Sequence, residues 1–257
     1  MTNHIDLDME NNSKKTLNIA LLGYGKMGKE VEQLALAAGH QIVFIIDNES
    51  DWKLYEKDLA KADIAIDFST PQTAIANIDK CFAVNLPIVV GTTGWYSDFE
   101  RIKSDCLKKN QSLFYASNFS LGVNIFSAIN TKLAEIMNRF PEYDLKINET
   151  HHTQKLDAPS GTALSLAEGI LHKLERKTKW ELLENDQKLA DETIPIKAFR
   201  IENIPGTHEI IYDSSVDEIS IRHRAKSRKG FAKGALLAAE WLSSKKGIYT
   251  MHDLLAL

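Results

Sequence analysis

The sequence predicts an α/β fold: a Rossmann-like doubly wound parallel sheet, plus a second α+β domain with an open mixed sheet. Three observations predict it. Short apolar runs without alternation are separated by helical segments through the first half of the 257 residues. A glycine-rich turn follows the first of these runs and opens a helix. The second half then changes pattern, with alternating strands that follow one another across short turns. Unalternated strands between helices are the mark of a parallel sheet covered on both faces, whereas runs of neighbouring strands favour a mixed or antiparallel sheet.

Each element of the first half can be justified in order. Leu17 to Leu22 is an apolar strand, Gly23 to Gly28 the turn, and Lys29 to Ala38 a helix that Gly39 stops. Gln41 to Ile46 is a second apolar strand ending at Asp47, which completes a strand–helix–strand unit. Asp63 to Phe68, Pro87 to Val90 and Ser112 to Ala116 read as further strands, with helices at Pro71 to Val84 and Ser97 to Lys109 between them. In the second half a helix from about Gly122 to Arg139 leads into Tyr143 to Thr150, where Leu145, Ile147 and Glu149 alternate with polar neighbours. Ser160 to Glu175 reads as a helix, and Ile194 to Glu202, Glu209 to Asp213 and Glu218 to Arg224 as strands, with Pro205–Gly206 at one turn. Lys177 to Thr193 is charged and poorly periodic, so a loop is expected there. Phe231 to Leu242 is a helix ending near Gly247, with a short helical tail to Leu257. These readings divide the chain into a tail at 1–16, a dinucleotide-binding domain at 17–120 completed by 226–257, and a substrate-binding and oligomerisation domain at 121–225.

Composition narrows the class. With 44% hydrophobic and 26% charged residues the chain is a folded globular protein, and a net charge of −4 offers no reason to expect nucleic acid or an anionic membrane surface. No apolar run approaches the ~18 residues of a membrane span. Cys81 and Cys106 form no CxxC pair and fall in helical segments, so free thiols in a reducing compartment, and a cytoplasmic protein, are expected.

Gly23-Tyr24-Gly25-Lys26-Met27-Gly28 matches G-x-G-x-x-G in the context that gives the motif its meaning, after a strand and before a helix. Gly23 permits the tight turn, Gly25 lets backbone approach a pyrophosphate, and Gly28 allows close helix–strand packing; amides at the helix start favour the anion. Asp47, at the end of the next strand, suits the ribose hydroxyls of the adenosine and hence NADH. Lys26 pulls the other way, since it could pair with a 2′-phosphate, so NADH or NADPH is expected with a preference for NADH. Asp67-Phe68-Ser69-Thr70-Pro71 and Gly91-Thr92-Thr93-Gly94 also fall at strand ends, where ligands of open α/β sheets bind. Thr70 before Pro71 reads equally well as a helix cap.

The most informative stretch is Glu149-Thr150-His151-His152-Thr153-Gln154-Lys155-Leu156-Asp157-Ala158-Pro159-Ser160-Gly161-Thr162-Ala163. His151, His152 and Lys155 crowd beside a helix N-terminus, a combination suited to a substrate with carboxylates, and a histidine can donate a proton near neutrality. Glu149, His151 and His152 were they ligands could hold zinc, but adjacent residues at a strand end point in opposite directions and no HExxH motif is present, so no metal is expected. Asp157 is expected to orient the loop rather than to act as a base.

This strip resembles the 4-hydroxy-tetrahydrodipicolinate reductase (dihydrodipicolinate reductase) family of lysine and diaminopimelate biosynthesis. The likeness extends to the GYGKMG turn, the DFSTP strip, Gly91 to Gly94, Ala116-Ser117-Asn118-Phe119 and the Ser227-Arg228 to Gly234 strip. The resemblance implies an NAD(P)H-dependent reduction in which the hydroxylated precursor loses water, hydride enters ring carbon 4, and the enamine is protonated to tetrahydrodipicolinate. Carried over by position, His151 matches the proton donor/acceptor and Lys155 the second proton donor. His152 matches a substrate contact, and Gly161 and Thr162 the pair that binds a substrate carboxylate. Gly23, Tyr24, Gly25, Lys26, Met27 and Gly28, with Asp47, Gly91, Thr92, Thr93, Ala116, Ser117, Asn118 and Phe119, match the dinucleotide contacts. The family resemblance also implies a homotetramer. Two departures bear on the cofactor: Lys26 stands where many members have arginine in a longer turn, and Asp47-Asn48 where some have Glu-Arg. Hydride transfer needs its two carbons within about 3–3.5 Å, so closure is expected about hinges near Asn118 to Gly122 and Arg224 to Arg228. A semialdehyde-phosphate enzyme would want a loop cysteine, and a nucleotide-sensing regulator would have no use for the histidine–lysine cluster.

Overall fold

The computed structural model describes residues 16–183 and 189–257. The tail expected at 1–16 lies outside the described residues except for Thr16, as do residues 184–188 of the Lys177 to Thr193 segment. The chain divides into two compact units, one taking the described residues through Tyr115 with Leu236–Ile248, the other Ala116–Ala235 with Tyr249–Leu257. These limits differ from the expected ones. The second crossing falls inside the last long helix rather than near Arg224 to Arg228, and the C-terminal nine residues belong to the second unit.

The first unit alternates β1 (Asn18–Leu22), α1 (Lys26–Ala37), β2 (Gln41–Ile46), α2 (Glu49–Tyr55), β3 (Ile64–Asp67), α3 (Pro71–Ala83), β4 (Ile88–Val90), α4 (Phe99–Lys108) and β5 (Ser112–Tyr115). Among the described residues the sheet runs β11-β5-β4-β3-β1-β2, where β11 is Gly247–Tyr249. The pairs β1–β2, β1–β3, β3–β4 and β4–β5 are parallel. Strand order therefore reverses between β1 and β3, the switch point at which open α/β sheets bind ligands. Leu22, Ala65, Ile88 and Val90 pack against Ile78 and Phe82 of α3, and burial of each large side chain contributes about 1.5–3 kcal/mol. Two elements went unexpected. Asn48 caps α2, accepting from the Ser50 and Asp51 amides at 2.9 and 3.2 Å, and the tail expected to be helical from Gly247 first supplies the edge strand β11.

The second unit comprises α5 (Leu121–Met137), β6 (Asp144–His151), α6 (Gly161–Leu171), β7 (Lys179–Leu182), β8 (Thr193–Arg200), β9 (Thr207–Asp213), β10 (Glu218–Arg224) and α8 (Met251–Leu255). The sheet order is β10-β9-β6-β8-β7, with β6 antiparallel to β9 and parallel to β8. Phe126 and Met137 of α5 and Leu166 and Ile170 of α6 bury against Leu145, Ile147 and Ile210 on one face of this sheet. Helix α7 (Lys229–Leu242) links the units in sequence; its Trp241 ring lies 6.2 Å from that of Phe114, edge to face, within the first. β7 corrects the expected loop at Lys177 to Thr193. It is an edge strand, where Lys179 and Glu181 discourage further pairing. Lys177 hides the pattern because its amine turns inward, bonding Asp144 Oδ1 at 3.1 Å and the carbonyls of Asp191 and Thr193 at 2.6 and 3.2 Å.

Candidate active site

In the first unit the glycine turn sits at the carboxyl end of β1. Gly23 has φ +87°, and a side chain there would overlap the Phe68 carbonyl; one on Gly28 would overlap the carbonyl of Gly23. Only glycine lets the strand turn and the helix pack so closely. Gly25 is the N-cap of α1, has no side-chain cap, and faces open space. The amides of Lys26, Met27 and Gly28 start a helix whose first turn holds no acid, an arrangement made for an anion. Asp47 Oδ1 accepts from the Tyr24 amide at 2.6 Å, which fixes its carboxylate beside the turn, and the Tyr24 hydroxyl donates to Glu32. Asp51 Oδ2 in turn accepts from the Asp47 and Asn48 amides at 2.9 and 3.2 Å.

At the ends of β3 and β4 the two small-residue strips form one network around Asp67, which is fully buried. Its carboxylate accepts from Thr92 Oγ1 at 2.5 Å, Asn77 Nδ2 at 2.7 Å, Ser69 Oγ at 2.9 Å and the Ser69 amide at 3.1 Å. Burial raises its pKa even against these donors. Gly91 donates its amide to the Asp67 carbonyl at 2.8 Å, and the Phe68 ring fills the place of any side chain there. Thr92 is buried and its carbonyl accepts from Trp95 Nε1 at 2.9 Å, while Thr93 is exposed. Thr70 is the N-cap of α3, and its amide donates to Thr73 Oγ1 at 3.3 Å in a capping box. Ala116, Ser117, Asn118 and Phe119 follow β5; Asn118 Oδ1 accepts from the Ser120 amide at 2.8 Å, and Phe119 is buried. Cys81 and Cys106 lie buried in α3 and α4, and burial pushes both thiols up, Cys106 to about 11. Neither suits a nucleophile.

The second unit gathers the other set at the end of β6. Alternation along this central strand carries the apolar row Leu145, Ile147 on to Glu149 and His151, all facing the core. Both acid and imidazole are buried. The Glu149 carboxylate accepts from the Ser160 amide at 3.2 and 3.1 Å and from the Arg200 guanidinium at 3.3 Å. His151 Nδ1 lies 3.4 Å from Glu149 Oε2, near enough for charge attraction but without hydrogen-bond alignment. Burial works to raise the Glu149 pKa, but His151 and Ser160 outweigh it and the carboxyl sits at about 2. His208, paired with Glu149 across β9, lies 3.1 Å from Ser160 Oγ; burial, then the His151 charge, lowers its pKa to about 4.

The loop beyond β6 is braced from below. The Lys155 amide donates to the His152 carbonyl at 3.1 Å, and Arg200 donates to the carbonyls of Lys155 and Asp157 at 3.3 and 2.6 Å. Lys155 Nζ holds both oxygens of Asp157 at 2.8 Å, so Asp157 orients the lysine, whose hydrogen bond keeps that carboxyl below its usual range. His152 is half-buried and its Nδ1 has no partner among the described residues. Gly161 and Thr162 open α6, with open space at Gly161, and Ser160 Oγ caps the helix by accepting from Ala163 at 3.2 Å. Their amides precede the intrahelical ladder and face outward for an anion.

Arg200, His208 and Ser160 were not singled out from sequence as site residues. Arg200 ends an alternating strand and His208 stands two residues past the Pro205–Gly206 turn, but nothing local announces that both strands flank β6. Glu149, His151 and His208 place their donor atoms within 4.8 Å of one another, a different trio from the one sequence suggested. Glu149 is already met by a guanidinium and a helix-end amide, so this donor set is poorly suited to a cation.

Comparison with known proteins adds an independent line. A family model described as dihydrodipicolinate reductase, N-terminus, matches residues 17–119, and one described as dihydrodipicolinate reductase, C-terminus, matches residues 122–255. A 4-hydroxy-tetrahydrodipicolinate reductase of Christiangramia forsetii is 48% identical over 240 residues, covering 93% of this chain and 98% of that one. That of Staphylococcus aureus strain MRSA252 is 37% identical over 248 residues, covering 93% and 100%. Among solved structures, dipicolinate-bound dihydrodipicolinate reductase from Paenisporosarcina sp. TG-14 has the same fold, with a TM-score of 0.69 at 22% identity over 93% of this chain and 99% of that one.

Proposed function

The chain belongs to the dihydrodipicolinate reductase family, and from that premise we infer that it is an NAD(P)H-dependent 4-hydroxy-tetrahydrodipicolinate reductase. The observation that carries the reading for this chain's own residues is the cluster at the end of β6. There two imidazoles and an ammonium adjoin the N-terminus of α6, which is the complement of a small dicarboxylate. A reduction of this kind consumes one hydride and one proton per imine after water has left, and the bound dinucleotide supplies the hydride to ring carbon 4. Gly161 and Thr162 hold one carboxylate through helix-end amides and the Thr162 hydroxyl, and His152 contacts the ring substituents. His151 delivers the proton that follows the hydride. Lys155, released from Asp157 as the dianion arrives, serves as charge partner and as the second group able to supply that one proton.

The turn from Gly23 to Gly28 fits the pyrophosphate of such a cofactor, because α1 starts without a side-chain cap or an acid in its first turn and a side chain at Gly25 would meet only open space. Tyr24, Lys26, Met27, Gly91 to Thr93 and Ala116 to Phe119 complete the contacts in this reading. Preference for NADH is supported by the acids around the ribose end: a 2′-phosphate would meet both Asp47 and Asp51, against the single charge of Lys26. The protein is read as a cytoplasmic homotetramer. Support for assembly comes from the second sheet's outer row, where Lys197, Phe199 and Arg222 stand exposed. No helix among the described residues is long and apolar enough to cross a membrane. The deciding experiment follows NADH and NADPH oxidation at 340 nm with enzymatically generated 4-hydroxy-tetrahydrodipicolinate. Substrate-dependent oxidation, faster per micromolar with NADH, is the expected result, and none with either cofactor would refute the function.

A further inference from the structure

Glu149 is buried without solvent contact, and a carboxylate so placed costs several kcal/mol unless cations or donors answer it. Here the answering groups tie it to the site described above. The Ser160 amide ties it to the N-terminus of α6, Arg200 ties it to the loop carrying Lys155, and His151 turns Nδ1 toward it at 3.4 Å. His208 closes the remaining side at 3.8 Å from Oε2 and is itself fixed to Ser160. The opposite edge of the His151 ring lies over Gly206. A side chain at that position would come within 3.0 Å of Nε2, so its absence leaves the second nitrogen room.

We propose that Glu149 is the positioning residue of the reaction. Its carboxylate, 3.4 Å from Nδ1 of His151, attracts that edge of the imidazole, presents Nε2 as the proton-delivering atom, and keeps this proton donor in register with the carboxylate-binding turn at Gly161 and Thr162. His208, held neutral by burial, contributes packing and a bond to the cap rather than a competing charge. Histidines whose far nitrogen is held by a carboxylate keep one tautomer and orientation, which is the physical basis of the assignment.

This inference rests on His151 being the proton donor, and its test separates the two claims. Glu149→Gln keeps the size and one acceptor but removes the charge. Its expected effect is a fall in kcat of about 10- to 100-fold, the scale for losing a partner that orients a working imidazole. The loss should fall on kcat, with KM for NADH unchanged. In a cycle with His151→Gln, the double variant should be no slower than His151→Gln alone, because Glu149 acts through that ring. Should His151→Gln be slow while Glu149→Gln keeps the wild-type rate, or should the two losses multiply, the positioning role is overturned and the donor assignment stands. Should His151→Gln itself retain wild-type turnover, the donor assignment fails instead, and the inference with it. If Glu149→Gln does not fold, nitrogen-15 imidazole spectra of the wild-type enzyme decide. A proton on Nδ1 of His151 at neutral pH supports the proposal, and a bare Nδ1 with the proton on Nε2 overturns it.

Discussion

Two buried carboxylates stand at strand ends, one in each unit, and their environments push them opposite ways. Asp67, at the end of β3, is answered by neutral partners only, the hydroxyls of Ser69 and Thr92 and the amides of Ser69 and Asn77. Burial dominates and its pKa rises. Glu149, near the end of β6, faces as complete a burial, yet an imidazole, a guanidinium and a helix-end amide surround it and its carboxyl sits at about 2. The contrast separates two uses of a buried acid. Neutral donors arrange a turn without charging it, as Asp67 does for the strips Ser69 to Thr70 and Gly91 to Thr93. Charged and hydrogen-bonding partners together keep the acid ionised, as they do for Glu149.

The strongest way to break this comparison is at the imidazole. His151→Gln is expected to lower kcat by about 10²-fold or more, the scale for a positioned acid, while stopped-flow NADH binding stays intact. The corresponding change in the first unit is steric. Gly91→Ala would drive a methyl group into the Phe68 ring, at a cost of about 1–3 kcal/mol as for other overpacked sites, read as a lower Tm and weaker NADH binding by fluorescence.

Acid sharpens the contrast further. Glu149, depressed from 4.5 to about 2, contributes stability that is present above pH 4.5 and lost as pH falls toward 2. His208, lowered from 6.5 to about 4, stays neutral in the fold while the unfolded chain takes up a proton, so its contribution fades between pH 6.5 and about 4. Asp67 has the opposite sign. Its pKa is raised above 3.8, so its contribution is full below pH 3.8 and is lost as pH rises through the raised value. Lowering the pH from 6.5 to 4 should therefore loosen β6 and β9 before β1, β3 and β4. Hydrogen exchange, corrected for intrinsic rates, checks this by the order in which protection declines. The smallest expected effect is at Asp47. Asp47→Ala should raise KM for NADH about 10-fold and that for NADPH less, consistent with losing one charge-assisted hydrogen bond of about 1.5–3 kcal/mol.

The same two regions explain what could be read from sequence. Gly23 to Gly28 act through their own backbone and the helix they open, so spacing alone exposes them, and Asp47 follows one strand later. His151, His152, Lys155, Gly161 and Thr162 are likewise within twelve residues of one another. Arg200 and His208 lie 51 and 59 residues beyond Glu149 and meet it only because β8 and β9 flank β6. Strand order is set by packing of the whole sheet and leaves no trace at either residue. β7 was obscured for a related reason: Lys177 looks like a solvated charge until its amine is seen bonded to Asp144.

The most direct measurement is a calorimetric titration of dipicolinate, a planar dicarboxylate, into the NADH-saturated wild-type and Lys155→Ala proteins. The account predicts that the variant binds dipicolinate at least ~10-fold more weakly, about 1.4 kcal/mol, with its affinity for NADH unchanged. Equal dipicolinate binding by the two proteins, or a loss confined to NADH, would contradict it.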